Sequence, residues 1–319
     1  MPRGKQIVRV IEVEECTIGQ AKEEFYKHNK VKGLSPTTQK GYKEYVEHFA
    51  NWCGNDFIVA RLTKKKLDDY LYYKAEQGVK SITLATVMAH VRTFLNFCVS
   101  RGYMEKIEVT IPKYEKELKE PYTTEELQLL LARPKSNNWV EYRSWVMVNY
   151  FFSTGQRLST VLNIKVKHLD LNNSRVKLIW NKDKIQKYMP LSTAMVKILQ
   201  EYILVSALQN EDYLFPEYEG NKLKNRSAED AMADYNHSRG VKRQGIHLFR
   251  HTFAKNYIVN GGSPVKLQKL MNHKTIEQTM KYVNLYATDI SDDLDLFNPL
   301  DNFQKKYYTP TKRKTVIGA

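Results

Sequence analysis

Apolar residues recur three and four positions apart in four early stretches, each bracketed by helix start and stop signals. The first opens at Thr17, carries Ala21, Phe25 and Tyr26, and stops at Gly33. In the second, Ser35 stands at the N-cap and Pro36 at the first helical position, where the missing amide hydrogen costs no bond. Tyr42, Val46, Phe49 and Ala50 make its apolar face, and Gly54 ends it. The third runs from Thr63 through Leu67, Tyr70 and Leu71 to Gly78. The fourth covers about Thr83 to Arg101, with Val87, Val91, Phe94, Leu95 and Phe97 inward and Gly102 as its stop. Capped helices over residues 16–104 predict a small helical domain behind a short arm, residues 1–15.

The period fails at 105–121, EKIEVTIPKYEKELKEP, where dense charge and two prolines predict an extended linker. A second domain, 122–290, opens on the capping-box pattern Thr123-Thr124-Glu125-Glu126 ahead of Leu127, Leu130 and Leu131. An apolar helix from Trp145 to Phe152 follows and is stopped at Gly155. Over 168–191 the period shortens to two: HLDL, the pair Asn172-Asn173, RVKLIW and KYMPL predict a small antiparallel sheet. Helical spacing then returns as far as Tyr286. The expected fold is therefore mainly α with a small antiparallel β-sheet in an α+β second domain. In the C-terminal segment, 291–319, Leu296, Leu300 and Phe303 form a short apolar stripe, which Pro299 would kink or cap. Beyond it lie Lys305, Lys306, Lys312, Arg313 and Lys314 with no acid.

Charge narrows the function. Lysine plus arginine exceeds aspartate plus glutamate by 50 − 35 = 15 over 319 residues. The excess is scattered along the chain, as expected of a protein that neutralises phosphates along a nucleic-acid backbone and not of one basic amphipathic helix on a membrane. No run approaches the roughly 18 apolar residues of a membrane span, and no secretory signal pattern opens the chain. Cys16, Cys53 and Cys98 are too far apart for a disulfide framework or a metal pair, which fits a cytoplasmic protein. Neither GxxxxGK[ST] nor GxGxxG occurs, so no nucleotide cofactor is indicated. His247 and His251 are four apart, but without a glutamate between them or a third ligand they make a poor zinc site.

Four weak pieces remain, each unremarkable alone. Ser153-Thr154-Gly155-Gln156-Arg157-Leu158-Ser159 puts a guanidinium where one helix ends and the next begins, an anion-binding position. Lys182 stands on the turn between two strands. In IHLFRHTFA, residues 246–254, His247 and Arg250 share a helix face, an imidazole beside a phosphate-binding guanidinium. Last come Leu270-Met271-Asn272-His273 and Thr279-Met280-Lys281-Tyr282, with histidine and tyrosine 282 − 273 = 9 apart.

Taken in order, arginine, hairpin lysine, His-x-x-Arg, histidine and tyrosine resemble the tyrosine recombinase family, over about residues 15–290. The resemblance implies an N-terminal helical core-binding (SAM-like) domain and a catalytic domain that cuts and rejoins double-stranded DNA through a 3′-phosphotyrosine, with no metal, ATP or other cofactor. It implies Tyr282 as nucleophile, Arg157 and Arg250 as a clamp on the phosphate, and Lys182 as donor to the leaving 5′ oxygen, with Lys184 as rival. His247 would accept the tyrosine proton or bond the phosphate, and His273 would bond the phosphate. His251 is expected in a supporting or core position, and Tyr286 is the rival nucleophile. The departures are Thr160 at a commonly acidic position, Phe249 where leucine is commoner, Asn272 in place of glycine, and a hairpin lacking lysine-glycine.

The family's active form is a tetramer on two duplexes, with residues 291–303 expected to dock in trans on a neighbour. Integration or excision of a mobile element, with accessory DNA-bending or directionality proteins, is the first expectation. A chromosome or plasmid dimer resolvase and a non-catalytic DNA-binding protein are the alternatives. Too few residues precede Thr17 for an additional arm-binding domain, which predicts a simple recombination site.

Overall fold

The computed structural model describes residues 15–114, 120–179 and 186–286. Residues 1–14 of the N-terminal arm, Lys182, Lys184 and the C-terminal segment with its expected trans docking lie outside the described residues. Two compact units divide the chain, Met1–Leu118 and Lys119–Ala319.

The described residues of the first unit form four α-helices, α1 (Ile18–Val31), α2 (Pro36–Cys53), α3 (Lys64–Glu76) and α4 (Ser81–Ser100), and a 3-10 turn at Val59–Arg61. The capping residues act as their chemistry predicts. Thr17 forms a reciprocal capping box with Gln20, Ser35 accepts from the Thr38 amide at 3.2 Å, and Thr63 accepts from Lys66 at 3.2 Å. Lys80 precedes α4 without a side-chain cap, and the helix starts two residues before the expected Thr83. Phe25 packs edge-on against Phe94 at 5.6 Å in the centre of the bundle. By length and composition α4 could cross a membrane, a property the run criterion did not reveal. Its buried face, from Leu84 to Cys98, lines this core instead, as the central helix of a bundle does.

The second unit holds α5 (Thr124–Leu131), α6 (Trp139–Thr154), α7 (Leu158–Val161), β1 (Leu169–Asp170), β2 (Arg175–Ile179), β3 (Gln186–Pro190), α8 (Thr193–Val205), α9 (Asn225–Ser238), α10 (Ile246–Val259), α11 (Pro264–Met271) and α12 (Glu277–Tyr286). The sheet is antiparallel in the order β1-β2-β3, with Val176 opposite Met189, both buried. Helix α6 opens at Trp139, not Trp145, because the Asn138 side chain accepts from the Val140 and Glu141 amides. At the unit's entrance Arg243 donates to the Pro121 carbonyl at 2.6 Å and meets the Glu120 carboxylate at 2.9 Å.

Helix α10 runs through the middle of this unit, in contact with α6, α11 and α12. Leu248, Phe249, Arg250, Thr252 and Ala254 are all buried along it. Phe249 lies on the Tyr122 ring with centroids 4.6 Å apart. The larger side chain at that position is thus accommodated by an aromatic partner from the start of the unit.

Candidate active site

Two left-handed turns bring the cationic residues together. The first ends α6 at Gly155, with φ 59°. A Cβ there would lie 2.3 Å from the Phe253 ring of α10, so only glycine lets this turn lie against the central helix. The second ends α11 at Asn272, with φ 48° and ψ 54°. Asparagine is among the few side chains that enter this region readily, which explains how it substitutes for the usual glycine.

The guanidiniums join the two turns. Arg250 donates through Nη1 to the Gly155 carbonyl at 2.5 Å and through Nη2 to the Met271 carbonyl at 2.7 Å. Arg157, at the N-cap of α7, donates to the Asn272 carbonyl at 3.0 Å. From β3, Lys187 donates to the Lys269 carbonyl at 2.9 Å. Three cations therefore gather where the carbonyls at the end of α11 concentrate negative potential.

Next in the chain, His273 pairs Nδ1 with the hydroxyl of fully buried Thr279 at 2.7 Å. Its ring lies parallel to that of Tyr282, 5° between planes and 6.4 Å between centroids. Tyr282 is 8 % exposed, and its hydroxyl meets Nδ1 of His251 at 2.8 Å.

Electrostatics tie the group into one site. Burial, then the like charge of Arg157, pulls the Arg250 pKa down to about 10. Burial, then Arg250 and Arg157, pulls His273 down to about 4. Burial raises the Tyr282 phenol, while the charge of Arg250 opposes that rise. An anion entering here would relieve the mutual repulsion of the cations and exchange backbone carbonyls for a full negative charge.

The structure thus brings Arg157, Arg250, His273 and Tyr282 together. His247 stands exposed on the first turn of α10 and opens onto a cavity shared with Leu158, Gln244 and Glu229. The hydrogen-bond partner of the Tyr282 hydroxyl is His251, a residue the sequence placed in a supporting or core role. Its signal was present, since His247 and His251 share a helix face, but spacing cannot rank them. The rival Tyr286 is half-buried with the Lys255 ammonium 5.6 Å over its ring. Thr160 is buried in α7, so this position contributes a hydroxyl and no carboxylate.

The phage integrase family model matches residues 121–288, and the phage integrase N-terminal SAM-like domain model matches 23–102. Tyrosine recombinase XerD of Halalkalibacterium halodurans is 24% identical over 298 residues, covering 89% of this chain and 99% of that protein. The Staphylococcus aureus XerD is 23% identical, covering 84% and 94%. Among solved structures, a lambda integrase tetramer bound to a Holliday junction aligns with a TM-score of 0.70 at 14% identity, over 84% of this chain and 78% of that one. The Tn1549 transposon integrase in complex with transposon right end DNA aligns with a TM-score of 0.70 at 15% identity, over 88% and 98%. The chain belongs to the phage integrase family of tyrosine recombinases, enzymes that break and rejoin DNA.

Proposed function

We propose that this protein is a site-specific DNA recombinase that cuts each strand by forming a 3′-phosphotyrosine on Tyr282. One observation carries the reading: a buried tyrosine whose hydroxyl has an imidazole partner and lies in the field of Arg250, itself beside Arg157. The tyrosine oxygen attacks the scissile phosphate, and the 5′ oxygen leaves with a proton from Lys182. Arg157 and Arg250 exchange their carbonyl contacts for the non-bridging oxygens, whose charge grows in the transition state. With Nδ1 engaged by Thr279, His273 has Nε2 left for the same phosphate, and His247 approaches it from the exposed side. The bond energy of the phosphodiester is kept in the tyrosyl ester, so rejoining needs no ATP.

Double-stranded DNA is the substrate on this reading, supported by the net charge of +15 and by integrases of the same fold solved on DNA. Strand exchange between two duplexes calls for a homo-tetramer. Integration and excision of a mobile element, with accessory directionality proteins, is the substrate reading favoured by the likeness in fold to a transposon integrase. Resolution of chromosome or plasmid dimers is the second reading, favoured by XerD relatives that match along nearly their whole length. A nicked duplex that traps the covalent adduct tests the chemistry. The native protein should form the adduct, with or without EDTA, and Tyr282→Phe should bind the duplex yet form none. An adduct persisting in that variant would move the nucleophile to Tyr286.

A further inference from the structure

We infer that His251, and not His247, takes the proton of the attacking tyrosine; the inference rests on Tyr282 being the nucleophile. The Tyr282 hydroxyl and His251 Nδ1 are 2.8 Å apart, within the reach a general base needs. Tyr282 is 8 % exposed as a residue, and this part-buried contact engages its hydroxyl. When the phenol donates, His251 carries its own hydrogen on Nε2, and the Nδ1 lone pair points at the proton that must leave. The other imidazoles are arranged for other work. His273 lies parallel to the tyrosine ring and has Nδ1 on Thr279. His247 opens onto the cavity beside Leu158 and Glu229. Arg250 acts in the same direction as His251, since its charge favours the phenolate.

The Tyr282 O–H bond breaks and its proton goes to His251 Nδ1. The phenolic oxygen bonds to phosphorus, the bond from phosphorus to the 5′ oxygen breaks, and that oxygen takes its proton from Lys182. In rejoining, the 5′ hydroxyl returns its proton to Lys182 as its oxygen bonds to phosphorus, the bond from phosphorus to the phenolic oxygen breaks, and His251 returns its proton to the departing phenolate. His251 is therefore base in cleavage and acid in rejoining, as microscopic reversibility requires. A joining reaction whose leaving group needs no proton should then have little use for it.

That difference supplies the test. A DNA strand ending in a 3′-p-nitrophenyl phosphate can be joined to a 5′ hydroxyl by the full-length protein, and p-nitrophenolate leaves unprotonated. Cleavage of the nicked duplex is measured beside it for His251→Ala, His251→Gln and His247→Ala. Glutamine accepts the tyrosine's hydrogen bond but cannot take a proton, and DNA binding checks that each variant is folded. Both His251 variants should lose about 100-fold in cleavage and far less in joining, so that the ratio of joining to cleavage rises at least about tenfold. His247→Ala should lower the two reactions together. Cleavage by His251→Gln within about threefold of native, equal losses in both reactions, or a ratio that rises for His247→Ala instead would each overturn the inference. Failure of the nucleophile reading looks different, because it appears in the native protein and in Tyr282→Phe before any histidine is changed.

Discussion

Lys22 in the first unit and Arg250 in the second are buried to nearly the same degree, 8 % and 7 % exposed, and their charges are met in opposite ways. Lys22 lies 2.6 Å from the Glu47 carboxylate, and that contact holds the Glu47 pKa below its ordinary value. Arg250 donates to two backbone carbonyls and faces the like charge of Arg157. Burying an ion is costly unless a counter-charge and hydrogen bonds offset the lost hydration. In the first unit the chain supplies that counter-charge itself. Among the described residues of the second it supplies Arg250 only with dipoles, so the guanidinium keeps an unmet preference for an anion. The Lys22 pair thus serves the fold, whereas Arg250, set beside a second arginine at the end of α11, is placed to meet an anion that arrives from outside.

Removing the charges from either side should separate the two roles sharply. Arg250→Ala and Arg157→Ala should each slow single-turnover cleavage by at least about 100-fold, the size of losing one oxyanion donor. Lys22→Met should leave the cleavage rate of the folded protein where it was. Near-native cleavage by either arginine variant would make that arginine a structural residue like Lys22. A smaller loss, about tenfold, is expected for Thr279→Val, which keeps the shape of the side chain but removes the hydroxyl that orients His273. Thr279→Ser should restore the rate, and failure of that rescue would assign Thr279 to packing alone.

The comparison also explains what the sequence could and could not reveal. The helices of the first unit were legible because Thr17, Ser35 and Thr63 use local capping chemistry, and each cap reaches only three residues ahead. The start of α6 is less legible, because Asn138 caps a helix whose first turn, Trp139 to Tyr142, lacks a clear apolar stripe. In the site, Arg157, Arg250, His273 and Tyr282 could be named from motif order, but not the reason they converge. That reason is two turns 272 − 155 = 117 residues apart, both left-handed and joined by Arg250, with Arg157 bonded to the second. The role of His251 was illegible because it depends on where α12 lies against α10, a tertiary fact. Lys182 and its rival Lys184 are outside the described residues, and their assignment remains a reading of the sequence.

Stability measurements sharpen the contrast further. Glu47→Gln leaves Lys22 without a counter-charge and should destabilise the protein by about 1 kcal/mol. That is below the value for a fully buried pair, because the Glu47 side chain is 37% exposed and partly screened. For a unit of this size such a loss lowers the thermal midpoint by about 4 °C. An unchanged midpoint would mean that solvent, and not Glu47, compensates Lys22.

The smallest expected effect is a pH dependence that belongs to the site alone. His273 titrates near 6.5 when exposed but only near 4 in the folded protein, because burial and then Arg250 and Arg157 disfavour its charged form. Between those values the unfolded chain binds a proton that the folded chain does not, so stability rises with pH across this window. Its contribution is complete above 6.5 and is lost progressively as pH falls toward 4. The Glu47 pair has the same sign but a lower window. Its folded pKa is depressed from 4.5, so its contribution is lost only as pH falls below that value. DNA-free protein should therefore show a thermal midpoint that falls between pH 6.5 and 5, by about 2 °C once the half-exposure of His273 is allowed for. His273→Gln should flatten that slope and leave the loss below pH 4.5 in place. A slope that persists in His273→Gln would show that the cations of the site do not set the ionisation of this histidine, and the electrostatic account of the cluster would fall with it.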